Sequence, residues 1–183
     1  MNVAVCDYGA GNLRSVVVAF GRLGAEARAT SRPADVAAAD LAVLPGVGSA
    51  ASAMTGLRER GLDVALQERV AGGGPTLGIC LGLQLALEES EEDGGVRGLG
   101  ILPGRAARLR TGRVPRIGWA LVDPGSEAFY FAHSYAAETP AAVARSEGIV
   151  AAAEAGSFLG VQFHPEKSGA AGARFLARCL SRA

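Results

Sequence analysis

Three side chains in two short stretches could together perform nucleophilic chemistry. The first stretch is "GICLG", residues 78 to 82, where Cys80 occupies the centre of a G-x-nucleophile-x-G pattern. Glycine permits a tight strand-to-helix turn that thrusts the middle side chain outward, so little core packing is expected of Cys80. The following helix would turn its partly positive N-terminus toward the sulfur, favouring a thiolate and offering N–H groups to an oxyanion formed beside it. The second stretch is "QFHPEKS", residues 162 to 168. Proline drives the residue before it into extended backbone, and in an extended segment residues i and i+2 point to one side. Glu166 is therefore expected beside the His164 imidazole, fixing its ring and tautomer. Cysteine, histidine base and orienting acid make the thiol form of a catalytic triad. Taken singly, Cys80 reads equally as a small buried hydrophobe and His164 as a satisfied strand-end histidine. The combination favours catalysis.

Two glycine-rich turns invite other readings. "LPGVGS", residues 44 to 49, ends a predicted strand, the place where ligand sites of open parallel sheets gather. It could donate backbone N–H groups to an oxyanion or serve as a plain tight turn. "YGAGN", residues 8 to 12, is not a dinucleotide loop, because G-x-G-x-x-G would need glycine where Arg14 stands.

The elements that must carry these residues alternate in type. Residues 2 to 7 read as a buried strand, and Leu13, Val16, Val17, Phe20 and Leu23 then mark one face of a helix. "LAVLP" is a second strand, and Met54, Leu57, Leu66 and Val70 mark a helical region broken near Gly61. "TLGIC" followed by "LGLQLALEES" is a third strand running into a helix. Such alternation implies a mostly parallel open sheet with helices on both faces. After Gly94 come short strand candidates, "AARLR", "RIGWALV", "AFYFAHSY", "AAVAR", "GIVAAAE" and "FLGVQFHP", an added antiparallel portion in the C-terminal half. A helix over about 172 to 181 closes the chain. The expectation is α/β, in one domain over residues 1–183.

Composition narrows the partners. Lysine plus arginine balances aspartate plus glutamate at 18 each, so no net field draws the chain to nucleic acid or an anionic membrane. No apolar run approaches the roughly 18 residues of a membrane span, and the first residues read as strand rather than signal peptide, so a cytoplasmic location is expected. Three cysteines, at 6, 80 and 179, form no CxxC pair and fit a reducing compartment. With two histidines, a structural metal site is not expected.

"GICLGLQ" together with "QFHPEKS" resembles the class I glutamine amidotransferases, whose flavodoxin-like glutaminase domains carry a cysteine, histidine and glutamate triad. Within that family, "DYGAGNLRSV", "LPGVGS", "LEESEE", "FAHSY" and the "GW" at 118 to 119 are similar to the glutaminase subunits of imidazole glycerol phosphate synthase. The resemblance implies that Cys80 attacks L-glutamine, His164 shuttles the proton and Glu166 orients His164, without any cofactor. It implies an oxyanion strand at Gly46, Val47 and Gly48, with the Leu81 N–H as second donor. Gln84, Glu92, His133, Ser134 and Tyr135 would surround the glutamine, Glu92 pairing with its α-ammonium. Unaided, Glu92 reads as a solvated member of "EESEED". Asn12, Trp119, Tyr130 and Lys167 match positions near the contact with a (β/α)8-barrel cyclase subunit, although a lone tryptophan also suits a core.

The chain departs from the family pattern at Ala50, Arg116 and Ala120, and between Trp119 and Tyr130 it is short. Two other readings compete: an amidotransferase subunit with another acceptor, against which "DYGAGNLRSV" argues, and a catalytically silent flavodoxin-like binding module with Cys80 in its core.

Overall fold

The computed structural model describes Met1–Ala183. Strands and helices alternate through the first half: β1 (Asn2–Cys6), α1 (Leu13–Gly21), β2 (Glu26–Thr30), α2 (Pro33–Ala38), β3 (Leu41–Leu44), α3 (Ala50–Glu59), α4 (Leu62–Ala71), β4 (Thr76–Ile79) and α5 (Leu81–Leu85). The second half is mainly strands: β5 (Glu89–Ser90), β6 (Val96–Arg97), β7 (Arg105–Arg108), β8 (Arg116–Leu121), β9 (Ala128–His133), β10 (Tyr135–Glu138), β11 (Ala142–Ser146), β12 (Ile149–Ala155) and β13 (Phe158–Val161), before α6 (Gly169–Ser181). The central seven-stranded sheet runs β11-β12-β13-β4-β3-β1-β2. Its strands from β13 to β2 are parallel and the β12 and β11 additions antiparallel. A four-stranded sheet, β10-β7-β5-β6, and the two-stranded pair β8-β9 complete the α/β fold.

The parallel strands are buried on both faces because their side chains alternate between two helical layers. Val3, Val5, Leu41 and Val43 face the side covered by α1 and α6, with Val16, Phe20 and Leu176. Ala4, Cys6, Ala42 and Leu44 face the side covered by α3 and α4, with Met54, Leu57, Leu62 and Leu66. Each fully buried valine, leucine or phenylalanine contributes about 1.5–3 kcal/mol. Gly61, at φ 65°, separates α3 from α4 where the break was expected.

Several elements differ from the sequence reading. β2 and α2 were not anticipated: "EARAT" lies on the sheet edge, mostly exposed, and so has no apolar run to announce it. α5 stops at Leu85 instead of continuing through "LEES", because the returning segment supplies the donors its last carbonyls need. Leu99 N–H donates to Leu85 O, and Ile101 and Leu102 N–H both donate to Ala86 O, each at 2.8 Å. α6 starts at Gly169 rather than 172. "AFYFAHSY" divides at Ser134 into β9 and β10, which belong to different sheets.

Candidate active site

The site lies outside the carboxyl ends of β3, β4 and β13. Cys80 follows β4 at φ 53°, ψ −105°, in the left-handed region that costs an ordinary side chain about 1–3 kcal/mol. The surroundings hold it there. Its N–H donates to Val161 O at 2.7 Å, and Gly82 lets α5 press against β3, where a Cβ would run into the Leu44 carbonyl. Gly46 serves the same end from the other side, since a Cβ there would meet Leu81. The elbow and the "PGVG" segment thus fit together through glycine. Contrary to expectation, Cys80 also packs: it is only 6% exposed and belongs to the buried cluster with Ile79, Val161 and Phe163. Its side chain nevertheless borders a cavity of about 300 Å³ shared with His164.

His164 lies beyond β13 in extended backbone, as the following proline requires. Its N–H donates to Tyr130 O at 2.9 Å. The Ser168 hydroxyl donates to His164 O at 2.6 Å and accepts from Tyr130 N–H at 3.0 Å, tying the histidine to β9. The His164 Nδ1 and Glu166 Oε1 are 2.9 Å apart, both side chains almost fully buried. The pairing is the expected one, but its route is not. Pro165–Lys167 form a 3₁₀ turn rather than an extended run, so Glu166 curls back onto the ring. Burial alone would lower the His164 pKa. The hydrogen bonds and charges of Cys80 and Glu166 outweigh it and push His164 up to about 9.

The other wall of the cavity contains Gly46, Val47, Gly48, Gln84, Glu92, His133, Ser134, Tyr135 and Lys167, together with Leu81 at the start of α5. The N–H groups of Gly46, Val47 and Gly48 have no acceptor within the chain. Leu81, as the first residue of its helix, has no intrahelical acceptor either. Glu92 is not a freely solvated carboxylate: Oε2 accepts from Ala50 N–H at 2.9 Å, and Asp93 accepts from Ala51 N–H at 3.0 Å, so both cap α3. Partial burial raises the Glu92 pKa above the usual carboxylate value, the Ala50 hydrogen bond opposing it. His133 Nδ1 lies 2.9 Å from Tyr135 O, which can only accept, so Nδ1 carries the proton and the buried, unpartnered Nε2 is a lone pair. Burial chiefly, with the charges of Arg116 and His164, pushes His133 down to about 4.

The four residues matched to a subunit contact fall on or beside this opening. Trp119 is 58% exposed on β8, between exposed Ile117 and Leu121, and packs edge-on against its cross-strand neighbour Tyr130 at 6.2 Å. Lys167 is exposed at the cavity, and Asn12 lies beside Pro45, Val47 and Glu166 in a small adjoining crevice. Arg116 points the opposite way: its guanidinium sits 4.3 Å from the Phe131 ring centre and bonds Ser146 and Glu147 at 2.8 and 2.9 Å.

The family model described as "Glutamine amidotransferase class-I" matches residues 4–183. The chain belongs to the class I glutamine amidotransferases. It is 46% identical over 186 residues to the "Imidazole glycerol phosphate synthase subunit HisH" of Methanothermobacter thermautotrophicus, covering 93% of each chain. It is 45% identical over 193 residues to the protein of the same description from Symbiobacterium thermophilum, covering 96% of this chain and 91% of the relative. Among solved structures, "Crystal structure of glutamine amidotransferase" superposes with a TM-score of 0.81 at 22% identity, over 99% of both chains, which supports the fold.

Within this amidotransferase, three polar residues at the site escaped the sequence reading. Tyr8 donates to Pro45 O at 2.8 Å, anchoring the start of the "PGVG" segment. Ser168 holds the His164 backbone as described above. Gln162, fully buried, places Nε2 3.6 Å from the Cys80 sulfur. Gln162 had one visible signal, an amide two residues before the histidine in an otherwise apolar run, and polar groups in such runs need partners.

Proposed function

We propose that this chain, as one glutamine amidotransferase type 1 domain over residues 1–183, is the cytoplasmic glutaminase subunit of an imidazole glycerol phosphate synthase. The observation that carries the reading is the buried His164–Glu166 pair at 2.9 Å, with His164 and Cys80 lining one cavity. The relatives' description as synthase subunits supports the acceptor assignment.

Cys80 Sγ attacks the side-chain amide carbon of glutamine after His164 Nε2 takes the thiol proton. Glu166 holds Nδ1–H, stabilising the imidazolium that results. The oxyanion is met by N–H groups of Leu81 and of the Gly46–Gly48 segment. His164 returns the proton to the leaving nitrogen, the C–N bond breaks, and ammonia departs from a glutamyl thioester. Water, deprotonated by His164, then cleaves the thioester to glutamate and free Cys80. Gln84, Glu92, His133, Ser134 and Tyr135 recognise the glutamine, the free oxygen of Glu92 facing the α-ammonium.

Ammonia passes to a (β/α)8-barrel cyclase subunit, which forms imidazole glycerol phosphate and aminoimidazole carboxamide ribonucleotide. The apolar stripe Ile117, Trp119 and Leu121, exposed beside the cavity, suits such a partner, with Asn12, Tyr130 and Lys167 completing the contact. Glutamate release measured alone and with the cyclase and its nucleotide tests the proposal. Stimulation by the loaded partner is expected. Absence of glutamate under both conditions contradicts it.

A further inference from the structure

Gln162 is coupled to the nucleophile through a chain of side-chain amides whose direction is set at its far end. Tyr135 O is a backbone carbonyl and can only accept, so the Gln84 side-chain atom 2.8 Å from it must be the nitrogen. That same nitrogen lies 3.2 Å from the Gln162 side chain, which must therefore present its oxygen there. The remaining end of Gln162, 3.6 Å from Cys80 Sγ, is then the NH₂ group. A glutamine in isolation could turn either end to the sulfur; here a carbonyl two hydrogen bonds away decides. Gln162 is completely buried and Gln84 nearly so.

Chemically, an N–H aimed at sulfur is a modest partner for a thiol and a stronger one for a thiolate, because a charged acceptor roughly doubles the strength of the bond. The thiolate stage precedes attack and is regenerated when the thioester is hydrolysed. His164 is the proton acceptor and cannot hold the sulfur alone through both stages, whereas an amide neither gains nor loses a proton in the cycle. The sulfur also lies 3.9 Å from Ala132 O, an acceptor that favours the protonated thiol.

Resting on the reading of Cys80 as nucleophile, we propose that Gln162 is a further catalytic residue, a permanent hydrogen-bond donor to the Cys80 thiolate, with Gln84 and the Tyr135 carbonyl fixing its direction. Gln84 thereby acts as a positioning residue as well as a wall of the glutamine pocket.

The test is the pH dependence of Cys80 alkylation by iodoacetamide in the full chain, read by peptide mass, which needs neither glutamine nor a partner. Cys6 and Cys179 stay silent, as burial pushes both thiols up to about 12. Gln162→Met and Gln162→Leu, of similar volume, are expected to move the alkylation midpoint about one unit to higher pH, and Gln162→Glu further in the same direction. In glutamine hydrolysis Gln162→Met should lower kcat about tenfold with KM little changed. Gln84→Met, which frees the amide to turn, should produce a smaller shift of the same sign. Thermal unfolding identifies any variant that has lost its fold. An unchanged alkylation profile in folded Gln162→Met or Gln162→Leu overturns the proposal. A shifted profile in the Gln162 variants, in a protein whose wild-type chain never releases glutamate, would instead defeat the glutaminase reading while leaving this one standing.

Discussion

The two walls of the cavity are built differently. On the wall made by the ends of β4 and β13, Cys80, His164 and Glu166 are held by short contacts and buried: Cys80 N–H on Val161 O at 2.7 Å, Glu166 on His164 at 2.9 Å, Ser168 on the His164 carbonyl at 2.6 Å. On the facing wall, made by the "PGVG" segment, the Glu92 turn and the β8-β9 pair, N–H groups stand unpaired, and Val47 and Trp119 are 39% and 58% exposed. Hydrogen bonds hold the two ends of the "PGVG" segment, from Tyr8 at Pro45 and from Glu92 and Asp93 at Ala50 and Ala51, and Gly46 packs on Leu81, while Val47 and Gly48 are exposed. Under the proposed function, the contrast separates the chemistry, assembled within the central sheet, from recognition and oxyanion binding, which are left open to what binds there.

Glu166→Gln is the sharpest way to break the first wall. It preserves shape but loses the carboxylate that holds Nδ1–H, and glutaminase kcat should fall about a hundredfold or more with KM nearly unchanged. Glu92→Gln acts on the second. Its amide oxygen can still cap Ala50, yet the charge for an α-ammonium is gone, so steady-state kinetics should show KM for glutamine raised about tenfold and kcat affected less.

Stability against pH distinguishes the two histidines that line the cavity. His164, raised from 6.5 to about 9, contributes stability in full below 6.5, and that contribution is lost as pH rises through about 9. His133, lowered from 6.5 to about 4, contributes above 6.5 and loses it as pH falls through about 4. Urea denaturation should therefore give greatest stability near neutral pH, with the alkaline limb absent in His164→Asn and the acid limb reduced in His133→Asn. The smallest expected effect is that of Trp119→Ala on the isolated chain, within about 0.5 kcal/mol by denaturation because the ring is exposed, although stimulation by a cyclase should be lost.

What could be read in the sequence follows the same division. The Cys80 corner, the α1 face and the two-sided strands β1, β3 and β4 are local patterns, and each stands where periodicity and glycine placed it. The His164–Glu166 pair was found from a two-residue spacing that holds, although a 3₁₀ turn brings it about. Contacts of long range were not legible. Gln162 meets Cys80 across 82 positions and Gln84 across 78, and no pattern near residue 162 announces either partner. Glu92 shows the same limit: a run of acids looks solvated until the fold lays it against the N-terminus of α3. The inward turn of Arg116 onto Phe131 likewise depends on strand register, which pairs Arg116 with His133.

The most direct measurement is covalent: incubation of the chain, with the cyclase and its nucleotide, with a diazo-ketone analogue of glutamine, followed by peptide mapping. The account predicts a single adduct on Cys80, prevented by excess glutamine, with Cys6 and Cys179 unmodified. Labelling spread evenly over the three cysteines, or a Cys80 that stays unmodified while the partner is bound, would contradict it.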